Sequence, residues 1–178
     1  MTGSVPPGSP RAPVLLVVGA NGGCGSSLLA GALALAWSRG GVSTWLVELD
    51  LGRGDRADAW GLGSTRTLDD LAGVVAELDA RHLEHAAHVG PAGVRLVGAP
   101  SGPAAVDAWG GEAIRRLVTC ARAASGEGGR VVLDAGAGLT GAALAASAEA
   151  DTVLIACGPT VAAARRARRI VEALDAVG

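Results

Sequence analysis

Five short, largely apolar runs punctuate the chain, at residues 14–18, 44–49, 94–97, 131–133 and 152–156. None alternates strictly between apolar and polar positions, so each reads as a strand buried on both faces, the mark of a parallel sheet. Between these runs the apolar residues recur at helical spacing. Residues 27–38 predict an Ala- and Leu-rich helix stopped by Gly40 and Gly41. Thr67, with Asp70 three residues later, caps a helix carrying Leu68, Leu71, Val74, Val75 and Leu78. Leu83 falls in a further short helix, and Ile114, Leu117, Val118 and Ala121 line one face of a helix over 113–124. A small-residue helix follows at 139–148, and a closing helix at 161–176 sets Ile170, Val171, Leu174 and Val177 opposite a run of arginines. Strands separated by helices predict a three-layer α/β fold, a mostly parallel sheet of about five strands with helices on both faces. Residues 1–13, rich in Pro and Gly, read as a flexible tail ahead of one domain at 14–178. The polar, Gly-rich segment 51–66 reads as a long functional loop.

Composition narrows the chemistry. The 178 residues, 49% hydrophobic, suffice for one core and one domain. Fifteen basic against seventeen acidic residues give a net charge of −2, so no overall attraction draws the chain to nucleic acid or an acidic membrane. The sequence contains no Lys, Tyr or Phe, and all fifteen basic residues are Arg. Every mechanism that needs a lysine or tyrosine side chain is thereby excluded. Cys24, Cys120 and Cys157 form no C-x-x-C pair and fit a reducing compartment. The run at 14–18 is too short for a signal core or a membrane span, and the expected location is cytoplasmic.

The segment VVGANGGCGSSLLAGALA places small residues between a buried strand and a helix start, where N–H groups and the helix dipole converge on an anion, usually a phosphate. Read as Gly19-x-x-x-Gly23-x-Gly25, it resembles the dinucleotide turn of short-chain dehydrogenases. That family works through a Tyr-x-x-x-Lys pair, so only an NAD(P)-binding relic without that chemistry is possible. Read as Asn21-Gly22-Gly23-Cys24-Gly25-Ser26-Ser27, it resembles the deviant P-loop of the MinD/ParA ATPases, Lys-Gly-Gly-x-Gly-Lys-Ser/Thr. The spacing favours the second reading. An acidic-x-acidic pair follows the family's glycine by about 23 and 25 residues, where Glu48 and Asp50 stand relative to Gly25. Arg130-Val-Val-Leu-Asp134 resembles a Walker B strand, and the run from Ala150-Asp151 through Pro159-Thr160 to an Arg-rich helix resembles the family's next strand and helix. The resemblance covers residues 14–176 and implies a P-loop NTPase-like fold whose C-terminal part is lacking here.

Within that family the match is nearest to the atypical CpaE/TadZ-like proteins and the related septum-site-determining proteins, in which the P-loop lysines can be missing. The resemblance implies a spatial positioning factor for a septum site, a pilus or a secretion apparatus. It would bind ATP or ADP with Mg2+, work with a protein partner of that apparatus, form a homodimer, and be recruited to the membrane or septum by a partner. By carry-over the phosphates lie against Asn21, Gly22, Gly23, Cys24, Gly25, Ser26 and Ser27; Ser27 and Asp134 hold magnesium; Asp50 orients the attacking water and Glu48 supports the segment after it. Asn21 and Ser26 stand where the family has lysines, which implies slow or absent hydrolysis. A nucleotide-free pseudo-ATPase scaffold is the alternative. Arg53 and Arg56 either replace the lost cations or are solvated loop residues. Arg165, Arg166, Arg168 and Arg169 form the one concentrated positive patch, a solvated helix face or a weak DNA or acidic-partner surface. His82, His85 and His88 read as a solvated face, Cys24 as a loop filler, and Trp60 as the tryptophan most exposed and readiest to meet a partner.

Overall fold

The computed structural model of the chain describes residues 11–51, 53–63, 66–100 and 102–176. Strands β1 (Val14–Gly19), β2 (Thr44–Glu48), β3 (His88–Val89), β4 (Arg95–Val97), β5 (Arg130–Ala137) and β6 (Thr152–Ala156) form one sheet in the order β3-β4-β2-β5-β1-β6. All neighbours are parallel except β3 and β4. The five expected runs are all strands. The sixth, β3, is a two-residue edge strand too short to show any periodicity.

The runs do not alternate because both sheet faces are covered. On one face Ala30 and Ala34 of α1 (Ser26–Arg39) pack on Val17, Leu46, Leu96 and Val132. α2 (Arg56–Ala59) adds Ala57 on the same side, followed by Trp60. The opposite face bears Leu83 of α3 (Ala80–Ala86), three side chains of α5 (Gly111–Ser125) and the alanines of α6 (Gly141–Ser147). Ile114, Leu117 and Val118 of α5, read from the sequence as its inward face, are fully buried there against Leu16, Trp45 and Leu133. α4 (Pro103–Ala108) precedes α5, and α7 (Val161–Asp175) closes the chain.

The sheet order decides between the two anion-turn readings. A dinucleotide-binding sheet has its first strand beside its second. Here β5 lies between β1 and β2. The NAD(P)-relic reading is therefore corrected: the glycines fit either turn, but the strand that follows joins the wrong neighbour for a dinucleotide fold.

Other expectations shift in detail. Residues Leu68–Glu77 form a 3-10 helix kinked at Val74, because Gly73 and two successive β-branched valines weaken an α-helix there. Its capping box forms as read: Asp69 N donates to Thr67 Oγ1 (3.1 Å), and Thr67 N donates to Asp70 Oδ2 (2.9 Å). Of α7, Ala163 and Ile170 are buried while Val171 is 45% exposed, so the apolar stripe is narrower than expected; Val177 lies outside the described residues. Ala12 is buried and Pro13 accepts a hydrogen bond from Val131 N, so order extends into the end of the expected tail, whose residues 1–10 lie outside the description. His82 faces Asp79, His85 pairs with the Arg81 carbonyl, and His88, in β3, pairs with the Arg66 carbonyl.

Candidate functional site

The register between β2 and β5 sets Glu48, the last residue of β2, beside Asp134 within β5. Each carboxylate stands two residues beyond a side chain of the α1-side core, Leu46 and Val132, so both face α1. The loop from β1 into α1 closes over this point. Gly25 precedes the helix in a left-handed conformation (φ 86°) that an L side chain rarely adopts, and it supplies no side-chain cap. No N-cap side chain competes at the start of α1, where the helix dipole favours an anion.

Ser27 Oγ donates to Asp134 Oδ1 (3.1 Å), and Gly136 N donates to the same oxygen (3.1 Å). The expected metal pair is therefore brought together. Ser26, at a position that carries lysine in the resembled loop, is buried and turned toward the Gly136 carbonyl at 3.4 Å. Asn21 donates from Nδ2 to the Gly22 carbonyl (2.9 Å) while its buried Oδ1 has no partner. Cys24 feels burial, which raises its thiol, but hydrogen bonds around Asn21 and Ser26 outweigh that and hold it below its ordinary value.

Two arginines that look alike in sequence part company in space. Arg53 is exposed (66%) and pairs with Asp50, Nη2 to Oδ1 at 3.0 Å. Arg56 is 7% exposed. Its Nη2 lies 3.3 Å from Asp134 Oδ2 and also donates to the Ser27 carbonyl, while its Cζ sits 5.8 Å from the Trp60 ring centre. Trp60 is half-buried in this role, not the free tryptophan expected. Removing one partner of a buried ion pair leaves an uncompensated charge and costs about 3–5 kcal/mol.

Glu48, 4% exposed, accepts from Arg56 N (3.0 Å) and Ala99 N (3.4 Å). It thereby holds the start of α2 against the sheet. Burial pushes its carboxyl above the usual range, against the pull of those N–H groups and the Arg56 charge. Burial also pushes Asp50 up, opposed by Arg53. Asp50 closes one wall of a cleft of about 320 Å³ shared with Arg53, Trp109 and Thr140. Gly136 (φ 65°) lies against it, and a Cβ there would come within 2.2 Å of Asp50 Oδ2.

The sequence reading missed Gly136, whose signal is the close spacing of Gly136 and Gly138 after a strand that ends on an acid. It left Arg56 undecided, because nothing local separates it from Arg53.

Solved structures share this fold. A ParA-family ATPase from Chlorobium tepidum TLS superposes with a TM-score of 0.79 at 23% identity, over 92% of this chain and 68% of that one. The chain has the fold of the ParA and MinD ATPases. The cell division ATPase MinD of Pyrococcus furiosus gives a TM-score of 0.75 at 19% identity, over 94% of this chain and 68% of that chain. The septum site-determining protein MinD of Pyrococcus horikoshii OT3, complexed with Mg-ADP, gives 0.77 at 17% identity, over 94% and 66%. The chain thus spans about two thirds of the length of each. No family model matches it, and no curated protein sequence does. Among the described residues no helix is long and apolar enough to cross a membrane.

Proposed function

We propose that this chain is an ATP- or ADP-binding spatial positioning factor of the MinD/ParA kind, serving a septum site, a pilus or a secretion apparatus, with ATP hydrolysis weak or absent. The observation that carries this reading is the glycine loop ending on an uncapped helix, with Ser27 3.1 Å from the Walker B-like Asp134, in a ParA/MinD fold. The backbone of residues 22–27 cradles the phosphates. Asp50 orients the attacking water, and Glu48 holds the segment after β2 in place through the Arg56 N–H. Developing charge on a transferring phosphoryl group meets no lysine, since the chain has none, and losing such a cation costs on the order of 10³-fold or more in rate. The residues that would hold magnesium are Ser27 and Asp134, and the charge of Asp134 is already met by Arg56. The partner is a protein of the positioned apparatus, which also recruits the chain to the membrane or septum, and the active form is a homodimer.

The alternative, a scaffold that binds no nucleotide, is favoured by one observation: Asn21 and Ser26 spend their side chains on the Gly22 and Gly136 carbonyls. Isothermal titration with ATP, ADP and NADPH, each with and without magnesium, tests the choice. Heat from ATP and ADP but not NADPH supports the nucleotide reading; none from any of the three leaves the scaffold.

A further inference from the structure

Among the described residues Arg56 is the one buried cation of the chain, held through Nη2 while its buried Nε has no partner. Nη2 lies 3.3 Å from Asp134 Oδ2 and donates to the Ser27 carbonyl, the backbone N–H is held by Glu48, and Trp60 flanks the guanidinium. α1 makes room for it: a Cβ at Gly31 would come 3.1 Å from Nη1 and 3.3 Å from Cζ. The other oxygen of Asp134 accepts from Ser27 Oγ and Gly136 N. Every carboxylate of the site is likewise engaged by the protein itself, Glu48 by two backbone N–H groups and Asp50 by Arg53.

Protein-bound magnesium is held through one or two carboxylates, and at Asp134, the carboxylate beside Ser27, both oxygens are taken and the charge is already met by Arg56. A dication arriving beside a guanidinium already fixed on the same carboxylate is repelled, and the low dielectric of a buried site strengthens that repulsion. At Asp134 the residues present have the atom types of a magnesium site but not its free charge. We propose that Arg56 is a resident cation occupying the electrostatic place of magnesium at Asp134, so that the loop takes a polyphosphate without needing a divalent metal. The polyphosphate half rests on the nucleotide-binding reading above; the metal half does not.

The test therefore has two arms. In the first, Mn2+ without nucleotide is followed by paramagnetic resonance on the wild type, Arg56→Gln and Gly31→Ala. The last variant keeps the charge and sets a methyl 3.1 Å from Nη1, so that the guanidinium has to give by a few tenths of an ångström. In the second arm, ATP is titrated into the same proteins in EDTA and in magnesium. For the wild type we expect no Mn2+ binding tighter than about 1 mM and ATP affinities within about twofold in the two buffers; Arg56→Gln gains Mn2+ binding and a magnesium dependence of roughly tenfold in its ATP affinity, and Gly31→Ala moves both the same way by a smaller factor, about threefold. Circular dichroism certifies folding, and Gly31→Ala carries the comparison should Arg56→Gln not fold. A wild type whose ATP affinity tightens about tenfold with magnesium, or folded variants that bind Mn2+ no better than the wild type, overturns the proposal. Should ATP bind in neither buffer, the nucleotide reading fails, and the Mn2+ arm alone decides whether Arg56 fills the metal's place.

Discussion

At the scale of single residues, the site is defined as much by what its side chains are already doing as by their identity. Ser26 stands in the loop where a lysine would carry charge to the phosphates, yet its hydroxyl is committed to the Gly136 carbonyl. Ser26→Lys should raise ATP affinity about tenfold, in line with one charge-assisted hydrogen bond, and titration calorimetry would show it. An unchanged affinity would mean that the loop does not hold phosphate. Steady-state hydrolysis by the wild type should stay well below the roughly 1 s⁻¹ at which ordinary enzyme turnover begins; a faster rate abolished by Asp50→Ala would contradict this. Gly136 is the residue whose role the sequence least disclosed. Its positive φ and its contact with Asp50 leave no space for a side chain, so Gly136→Ala should cost about 1–3 kcal/mol in urea unfolding and move Asp50 out of its place.

At the scale of elements, the ends of strands and helices are joined by side chains that local pattern does not reveal. Asp151, at the entrance to β6, accepts from Val14 N (2.6 Å) and from Arg122 Nη1 (2.8 Å), tying β1 and α5 to one carboxylate. Burial raises its pKa, but these donors outweigh burial and hold it below the ordinary value. A depressed folded pKa contributes stability above the ordinary carboxylate value, and that contribution is lost as pH falls through the folded value. Asp151→Asn should therefore destabilise by about 1 kcal/mol at neutral pH, modest because the group is half exposed. The difference from wild type should close below about pH 4, as thermal melts across a pH series would report. A gap that persists unchanged in acid would assign the loss to packing. The same limit on local pattern explains the segment at 68–77. Thr67 and Asp70 announced its start correctly, but Gly73 and the valine pair decided that it would be a kinked 3-10 helix.

For the whole molecule, charge is arranged in two separate ways: compensated pairs inside the site, and an open arginine face on α7. Arg165, Arg166 and Arg169 are exposed, while the exposed Arg168 meets Glu172 at 2.7 Å. Replacing Arg165, Arg166 and Arg169 together with Gln should shift Tm by less than about 2 °C, since Gln and Arg have similar helical propensity. A larger loss would show that the face is packed. If the patch also contacts DNA, the salt slope of binding should flatten by close to one unit per lost phosphate contact. The layers, the five main strands, the inward face of α5 and the glycine turn between β1 and α1 were legible in the sequence, because each rests on a local period or a local run of small residues that burial on two faces imposes. Tertiary structure alone decided the neighbours of β1 and, through them, which nucleotide fold the turn belongs to, because strand pairing is made between residues more than a hundred positions apart. It also decided that Arg56 is buried against Asp134 while Arg53 is left in water. Two arginines three residues apart carry the same local signal, and only the closing of α1 over the sheet, with Gly31 making room, gives one of them a partner that repays its desolvation.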